Sequence, residues 1–164
     1  MIESGPSMSG DPALKRADLD LAEFMPYLIN RVGAALVERF TADALTGTQL
    51  TIGTWRLLLA MSNHDGTRQV DLAELTSIEV STVSRLVTRL VQRGLASRAR
   101  SARSNREVLV SLTPKGKALV GSLVPVAAAL EQAATRGVTK AELTAVKRVL
   151  RRMHRNLTAR RAGA

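Results

Sequence analysis

Apolar positions follow two different periods along the chain. From Asp18, the residues Leu21, Met25, Leu28, Val32 and Ala35 succeed one another at steps of four, three, four and three. That is a heptad-like helical seam, joined by Phe24, Ile29, Leu36 and Phe40. It fades at Leu45-Thr46-Gly47-Thr48, and Thr51 is placed to cap a second helix carrying Trp55, Leu58, Leu59 and Met61. Asn63-His64-Asp65-Gly66 marks a turn. Asp71 opens a short helix to about Ser77; Ser81 opens another, which reaches Arg93 and is stopped by Gly94 as a C-cap. The period then changes to two. Leu95 to Arg98 and Glu107 to Leu112 read as strands, and the second, with Val108, Val110 and Leu112 alternating with Leu109 and Ser111, is expected to be covered on most of both faces. Thr113-Pro114 begins a fifth helix through Leu119, Leu123, Val126 and Leu130, with a kink expected at Pro125. Gly137-Val138 breaks it. Thr139 and Glu142 then form a capping-box pair for a last helix, whose seam is Leu143, Val146, Leu150, Met153 and Leu157.

The pattern predicts a mainly α protein with one small β-hairpin. Its 164 residues, 45% of them hydrophobic, suffice for one core without disulfides or metals. Cysteine is absent, which removes thiolate metal sites and a cysteine nucleophile. Lys+Arg number 24 against 14 Asp+Glu, a net charge of +10. Such an excess points to a polyanionic partner, most often nucleic acid. The charge is uneven: residues 115–164 hold eleven Lys/Arg and two Asp/Glu, whereas residues 51–114 hold nine and five. Aromatics make up 2%, which argues against stacking single-stranded bases on aromatic platforms. No apolar run approaches the ~20 residues of a membrane span, and Met1 to Asp20 lacks the apolar core of a signal peptide. These features lead to the expectation of a cytoplasmic protein without a membrane partner.

The stretch from Asp71 to Leu112 carries the functional signal. A short helix, a tight turn and a second helix are the parts of a helix-turn-helix. Ala73 is small enough to let the helices approach, and Leu75, Ile78, Val83, Leu86, Val87 and Leu90 are expected to form their shared core. Ser81, Thr82, Ser84, Arg85, Thr88, Arg89 and Gln92 fall on the other side. All form hydrogen bonds and none is acidic, as suits a helix lying in a major groove with Ser81 as cap and its N–H groups toward a phosphate. A solvated surface helix would show the same polarity, and the helix pair alone leaves the two readings even. The hairpin shifts the balance. Arg98, Arg100, Arg103 and Arg106 cluster on it with no intervening acid, as in a wing that sets arginine into a minor groove.

Chemistry of other kinds finds no support. His64 and His154 stand in no metal-ligand spacing, and P-loop, GxGxxG and GxSxG motifs are absent. No catalytic residue, metal site or cofactor is expected. Within nucleic-acid binding, a DNA-architectural protein that coats any duplex is the alternative to an operator-specific one.

Trp55-Arg56-Leu57-Leu58, Leu72-Ala73, Ser81-Thr82-Val83-Ser84-Arg85-Leu86-Val87, Arg93-Gly94-Leu95 and Val110-Ser111-Leu112-Thr113-Pro114-Lys115-Gly116 together resemble the MarR family of winged helix-turn-helix regulators. The resemblance runs from about Asp18 to Leu157, in the family's order of elements. Residues 1–17, rich in Gly, Ser and Pro with few apolar groups, read as a flexible arm, and the resemblance implies a helical dimerisation region over 18–48 and 114–160 and a winged DNA-binding region over 49–113. It further implies a homodimer paired through its terminal helices and a palindromic double-stranded operator, and points to repression rather than activation. The DNA-contacting set is then Ser81, Thr82, Ser84, Arg85, Thr88, Arg89, Arg98, Arg103 and Arg106. The family's pocket would draw on Met25, Leu28, Arg31, Trp55, Arg56 and Leu59, and would take a small aromatic acid or an acyl thioester as effector. The reading that weighs more for Arg31 is a cation reaching out to water or to an acid across the dimer, and Trp55 is more often a core residue than a ligand shelf. Two positions depart from the family pattern. Ser104 stands where an Asp usually braces the wing arginine, here Arg106, and Ser77 where the turn often has Gly.

Overall fold

The computed structural model describes residues 20–100 and 107–159; the N-terminal arm, the wing tip and the last residues lie outside that range. The elements are α1 (Met25–Phe40), α2 (Ile52–Asn63), β1 (Thr67–Arg68), α3 (Gln69–Thr76), α4 (Val80–Gln92), β2 (Ala96–Arg100), β3 (Val108–Leu112), α5 (Pro114–Ala134) and α6 (Lys140–Thr158). A single π-helical turn, Thr41–Leu45, follows α1. The chain divides into two units at Ala35/Leu36.

In the first unit α1 begins at Met25, not at Asp18 as the periodicity predicts. The Asp20 carboxylate accepts the Ala22 N–H at 2.9 Å, holding residues 20–23 in a turn. Pro26 then supplies a preset φ in the first helical turn. Leu21, Met25, Leu28 and Val32 all stand exposed.

The second unit is built around Leu57, Leu58 and Met61 of α2, Leu72 of α3, Val83, Val87 and Leu90 of α4 and Val110 of β3, all fully buried. Val120 and Leu123 of α5 close the core, and Phe40 lies against Trp55 with ring centroids 5.2 Å apart. Each such side chain contributes about 1.5–3 kcal/mol of burial. Three helix starts follow their cap residues. Thr51, Thr113 and Thr139 accept the N–H groups of Thr54, Gly116 and Glu142, and the Glu142 carboxylate returns a bond from Thr139 N–H. Gly94 and Gly137 end their helices at φ +68° and +82°. Helix α5 passes through Pro125 without a break in the helix.

The sheet has three strands in the order β1-β3-β2, all antiparallel, one more than the sequence pattern predicts. β1 is only two residues long and pairs Thr67 with Val110 and Arg68 with Leu109. One face of β3 is buried at Val110 and Leu112, while Leu109 and Ser111 on the other are half-buried. The shared core of the helix-turn-helix departs from expectation at one position: Leu75 is 53% exposed. α3 turns Leu72, Ala73 and Thr76 inward, a one-and-four spacing that leaves Leu75 outside. Buried Thr76 satisfies its hydroxyl on the Leu72 carbonyl at 2.6 Å.

Candidate nucleic-acid interface

The turn between α3 and α4 is closed by backbone. Ile78 N–H donates to Ala73 C=O at 3.1 Å, and Ser77 takes the left-handed conformation at φ 54°, ψ 39°. That is the geometry a glycine adopts without cost, and Ser77 occupies it with a Cβ. The turn delivers the chain to α4 earlier than expected. Glu79, not Ser81, is the N-cap, its carbonyl accepting from Thr82 and Val83 N–H groups at 2.9 Å each. No side chain bonds at this cap, and Ser81 lies exposed in the first turn.

Val83, Val87 and Leu90 fix the inner face of α4, so its rotation about its axis is set by the core. Ser81, Arg85, Arg89 and Gln92 are exposed, and Thr82, Ser84 and Thr88 are half-buried beside them. Two short-range bonds order this face. Arg85 Nη2 donates to Thr82 Oγ1 at 3.1 Å, and Thr88 Oγ1 donates to the Ser84 carbonyl at 2.9 Å. A third comes from the hairpin. Arg98 of β2 donates from Nη2 to Thr88 Oγ1 at 2.8 Å and reaches the Ser84 carbonyl at 3.5 Å. Arg98, proposed by sequence as a DNA contact, thus also latches the wing to α4. Sequence alone could not show this, because the two residues meet only once β2 packs along the helix.

The base of the wing has its own brace. Arg68 holds Asp71 with two bonds, Nε to Oδ2 at 2.8 Å and Nη2 to Oδ1 at 2.7 Å, and meets Glu107 Oε1 at 3.3 Å. The hydrogen bonds from Arg68 hold the Asp71 carboxyl below the usual carboxylate range, while its bonds to Asp71 and then to Glu107 raise the Arg68 guanidinium. All three groups are solvated, so the brace orders β1 against β3 more than it stabilises the fold. The sequence reading passed over Arg68, although its three-residue spacing from Asp71 at a helix start was a visible cue. Arg103, Arg106 and Ser104 lie outside the described residues.

The junction of α4, β2 and α5 is tight. Thr113 Oγ1 donates to Gly94 C=O at 2.7 Å, and Lys115 Nζ donates to Arg93 C=O at 3.1 Å. A Cβ on Gly116 would lie 2.0 Å from the Leu95 carbonyl oxygen, so only glycine lets the first turn of α5 approach this closely.

A family model for the MarR family matches residues 48–107, the segment that holds this helix-turn-helix and wing. A MarR family transcriptional regulator from Silicibacter pomeroyi DSS is 30% identical, covers 94% of this chain and 99% of its own, and superposes with a TM-score of 0.77. The chain belongs to the MarR family. Other relatives are similar over most of their length. BpsR of Bordetella bronchiseptica, whose DNA binding is regulated by 6-hydroxynicotinic acid, is 30% identical over 79% of this chain and 97% of its own, with a TM-score of 0.69. The HTH-type transcriptional repressor NicR of Pseudomonas putida is 29% identical over 140 residues, 85% of this chain and 88% of its own length. The MarR assignment makes the protein a DNA-binding winged-helix regulator, and none of the described helices is long and apolar enough to cross a membrane.

The residues proposed for the MarR-type effector pocket are placed differently from one another. Met25 and Leu28 are exposed on α1, and the Arg31 guanidinium sits 5.6 Å from the Tyr27 ring centroid, one turn away on the same helix. Trp55 is only 6% exposed and belongs to the core. Arg56 and Leu59 line an open groove of about 350 Å³ with Asn63, His64 and Leu75, between α2 and α3. The outward placement of Leu75 gives this groove its apolar wall.

Proposed function

We propose that this protein is a sequence-specific transcriptional repressor that binds a palindromic duplex operator as a homodimer and is released by a small anionic aromatic compound or its thioester. The observation that carries the reading is α4 itself. Its inner face is locked by Val83, Val87 and Leu90, and its outer face offers Ser81, Thr82, Ser84, Arg85, Thr88 and Arg89 without an acid. A helix so fixed can present the same donors and acceptors to base edges each time it enters a major groove, while Arg98, Arg103 and Arg106 of the wing take the backbone or the minor groove.

Residues 49–113 serve as the DNA-binding region in this reading, and residues 18–48 and 114–160 as the dimerisation region. The exposed seams of α1 and α6 support that division, because apolar rows of this length are normally covered. A two-fold axis through them would match an operator palindrome, with half-sites about one helical turn apart, roughly 10 bp. For the effector, Arg56 supplies a cation and Leu59 and Leu75 apolar walls in the groove between α2 and α3. Met25, Leu28 and Arg31 stay candidates on α1, and Trp55 would act from the core behind α2. The regulation of BpsR by 6-hydroxynicotinic acid supports an aromatic carboxylate as the first compound to try.

Footprinting on the protein's own upstream region, followed by titration of that site against random duplex, tests the reading. Arg85→Ala should cost about 1–3 kcal/mol on the protected site and less on random sequence if Arg85 reads a base. Equal losses on both would remove that role, and uniform protection of any duplex would replace the operator reading with an architectural one.

A further inference from the structure

We propose that the cationic face of α6 is a second contact for duplex DNA, independent of base sequence and separate from α4 and the wing. At 100° per residue, Lys140, Lys147, Arg148, Arg151, Arg152 and Arg155 fall within an arc of about 140° along ~22 Å of helix. The apolar residues Val146, Val149, Leu150, Met153 and Leu157 occupy the opposite side. No residue of α6 is buried, and all six cations are exposed. The helix has one acid, Glu142, and that carboxylate is engaged in the capping box with Thr139. Among the described residues Lys147 meets Glu131, while Lys140, Arg148, Arg151, Arg152 and Arg155 form no ion pair.

An exposed helix that needed only water would mix its charges. This one sets Lys147 against Arg151, Arg148 against Arg152 and Arg151 against Arg155, each four residues apart. Every such like-charge pair disfavours the helix by about 0.2–0.5 kcal/mol. A polyanion laid along the arc reverses the sign of that repulsion. Duplex DNA fits it best. Its phosphates are evenly spaced over the length of the arc, guanidinium groups bind phosphate as a fork, and between the cations stand few groups that could read a base. The chain's charge points the same way, since residues 115–164 hold eleven Lys/Arg against two acids, more than the helix-turn-helix and wing can account for. The apolar side carries no aromatic residue of the kind that anchors an interfacial membrane helix. The two sides are separate, so a dimer closed on the apolar seam leaves the cations in water. The inference takes duplex DNA as the polyanion from the operator reading and otherwise stands apart from it.

The test compares the full-length protein with the triple variant Arg148→Gln, Arg151→Gln and Arg152→Gln. Binding is titrated on the footprinted operator, on random duplex, and on vesicles of equal parts phosphatidylcholine and phosphatidylglycerol, over a range of salt. On random duplex the triple variant should bind about tenfold or more weakly at low salt. Its slope of log affinity against log salt should be shallower by about 0.9 for each lost phosphate contact. Its operator-to-random ratio should stay that of the wild type, whereas Arg85→Ala should lower that ratio. Lys at the same three positions should restore the slope, which separates lost charge from a weakened helix. Unchanged affinity and slope on random duplex would overturn the proposal, as would vesicle binding that the triple variant loses while its duplex binding stays intact. If the wild type shows no operator preference and the triple variant still loses duplex binding, the operator reading fails and the α6 contact stands.

Discussion

Helix α4 of the winged lobe and helix α6 are amphipathic to a similar degree but end in opposite conditions. In the lobe, Leu57, Leu58, Leu72, Val83, Val87 and Val110 are sealed from water. On α6 the apolar seam is open, and Leu157 is 74% exposed. Periodicity marks a face that must be covered, and it is silent about what covers it. In the lobe the cover comes from the same chain, at residues brought together from α2, α3, α4 and β3. For α6 the described residues leave Leu143 and Met153 half-buried and seal none of the seam, and the helix is held by its capping box and by the Lys147–Glu131 ion pair to α5.

Substitutions can break or sharpen this contrast. The largest effect is expected at Leu58. Leu58→Ala should cost about 2–5 kcal/mol in denaturant unfolding, because the site is enclosed and leaves a cavity. Leu150→Ala should cost the dilute protein less than about 0.5 kcal/mol and instead weaken self-association in sedimentation. If both variants unfold alike and associate alike, the two regions do not differ in the way described. Next is Gly116→Ala, with an expected loss of about 1–3 kcal/mol, since the new methyl would have to push the Leu95 carbonyl away. A melting temperature equal to that of the wild type would show that the α5 junction yields freely.

Arg98→Gln tests the lobe's surface rather than its core. Unfolding should change by about 1 kcal/mol or less, while affinity for the operator falls because the wing is no longer held to Thr88. Retained affinity would make the latch incidental. The smallest change is expected from Ser77→Gly, which relieves the left-handed strain but adds freedom to the unfolded chain. A net gain of about 0.5 kcal/mol is expected, and a loss would mean that the Ser77 side chain contributes more than its conformation costs.

What the sequence revealed follows from the range of the interactions involved. Thr51 and Thr139 were legible as caps, and Thr113-Pro114 as a helix start, because each signal spans three residues or fewer. The buried face of α4 was legible for the same reason, since a helix wheel is local. β1 was not, because two residues carry no period and its existence depends on Val110 and Leu109, some forty positions away. Leu75 was misassigned because on a helix of eight residues either of two neighbouring faces can satisfy the pattern. The cap of α4 was displaced to Glu79 by turn geometry that a serine-rich sequence conceals. At the interface, the identities of Thr88 and Arg98 were evident, but their contact across ten residues was not.

The close approach at Gly116 has a mechanical consequence. Thr113 and Lys115 tie the first turn of α5 to Gly94 and Arg93, and Gly116 removes the spacer that would let the pieces slide. The end of α4, the start of β2 and the root of α5 are therefore one block, and α5, with 21 residues, is an arm of about 31 Å attached to it. Tilting that arm by about 10° displaces its far end by about 5 Å. Run in reverse, a push of a few ångströms on the distal turns of α5 becomes a rotation of α4 and the hairpin together, with little slack in which the movement could be lost.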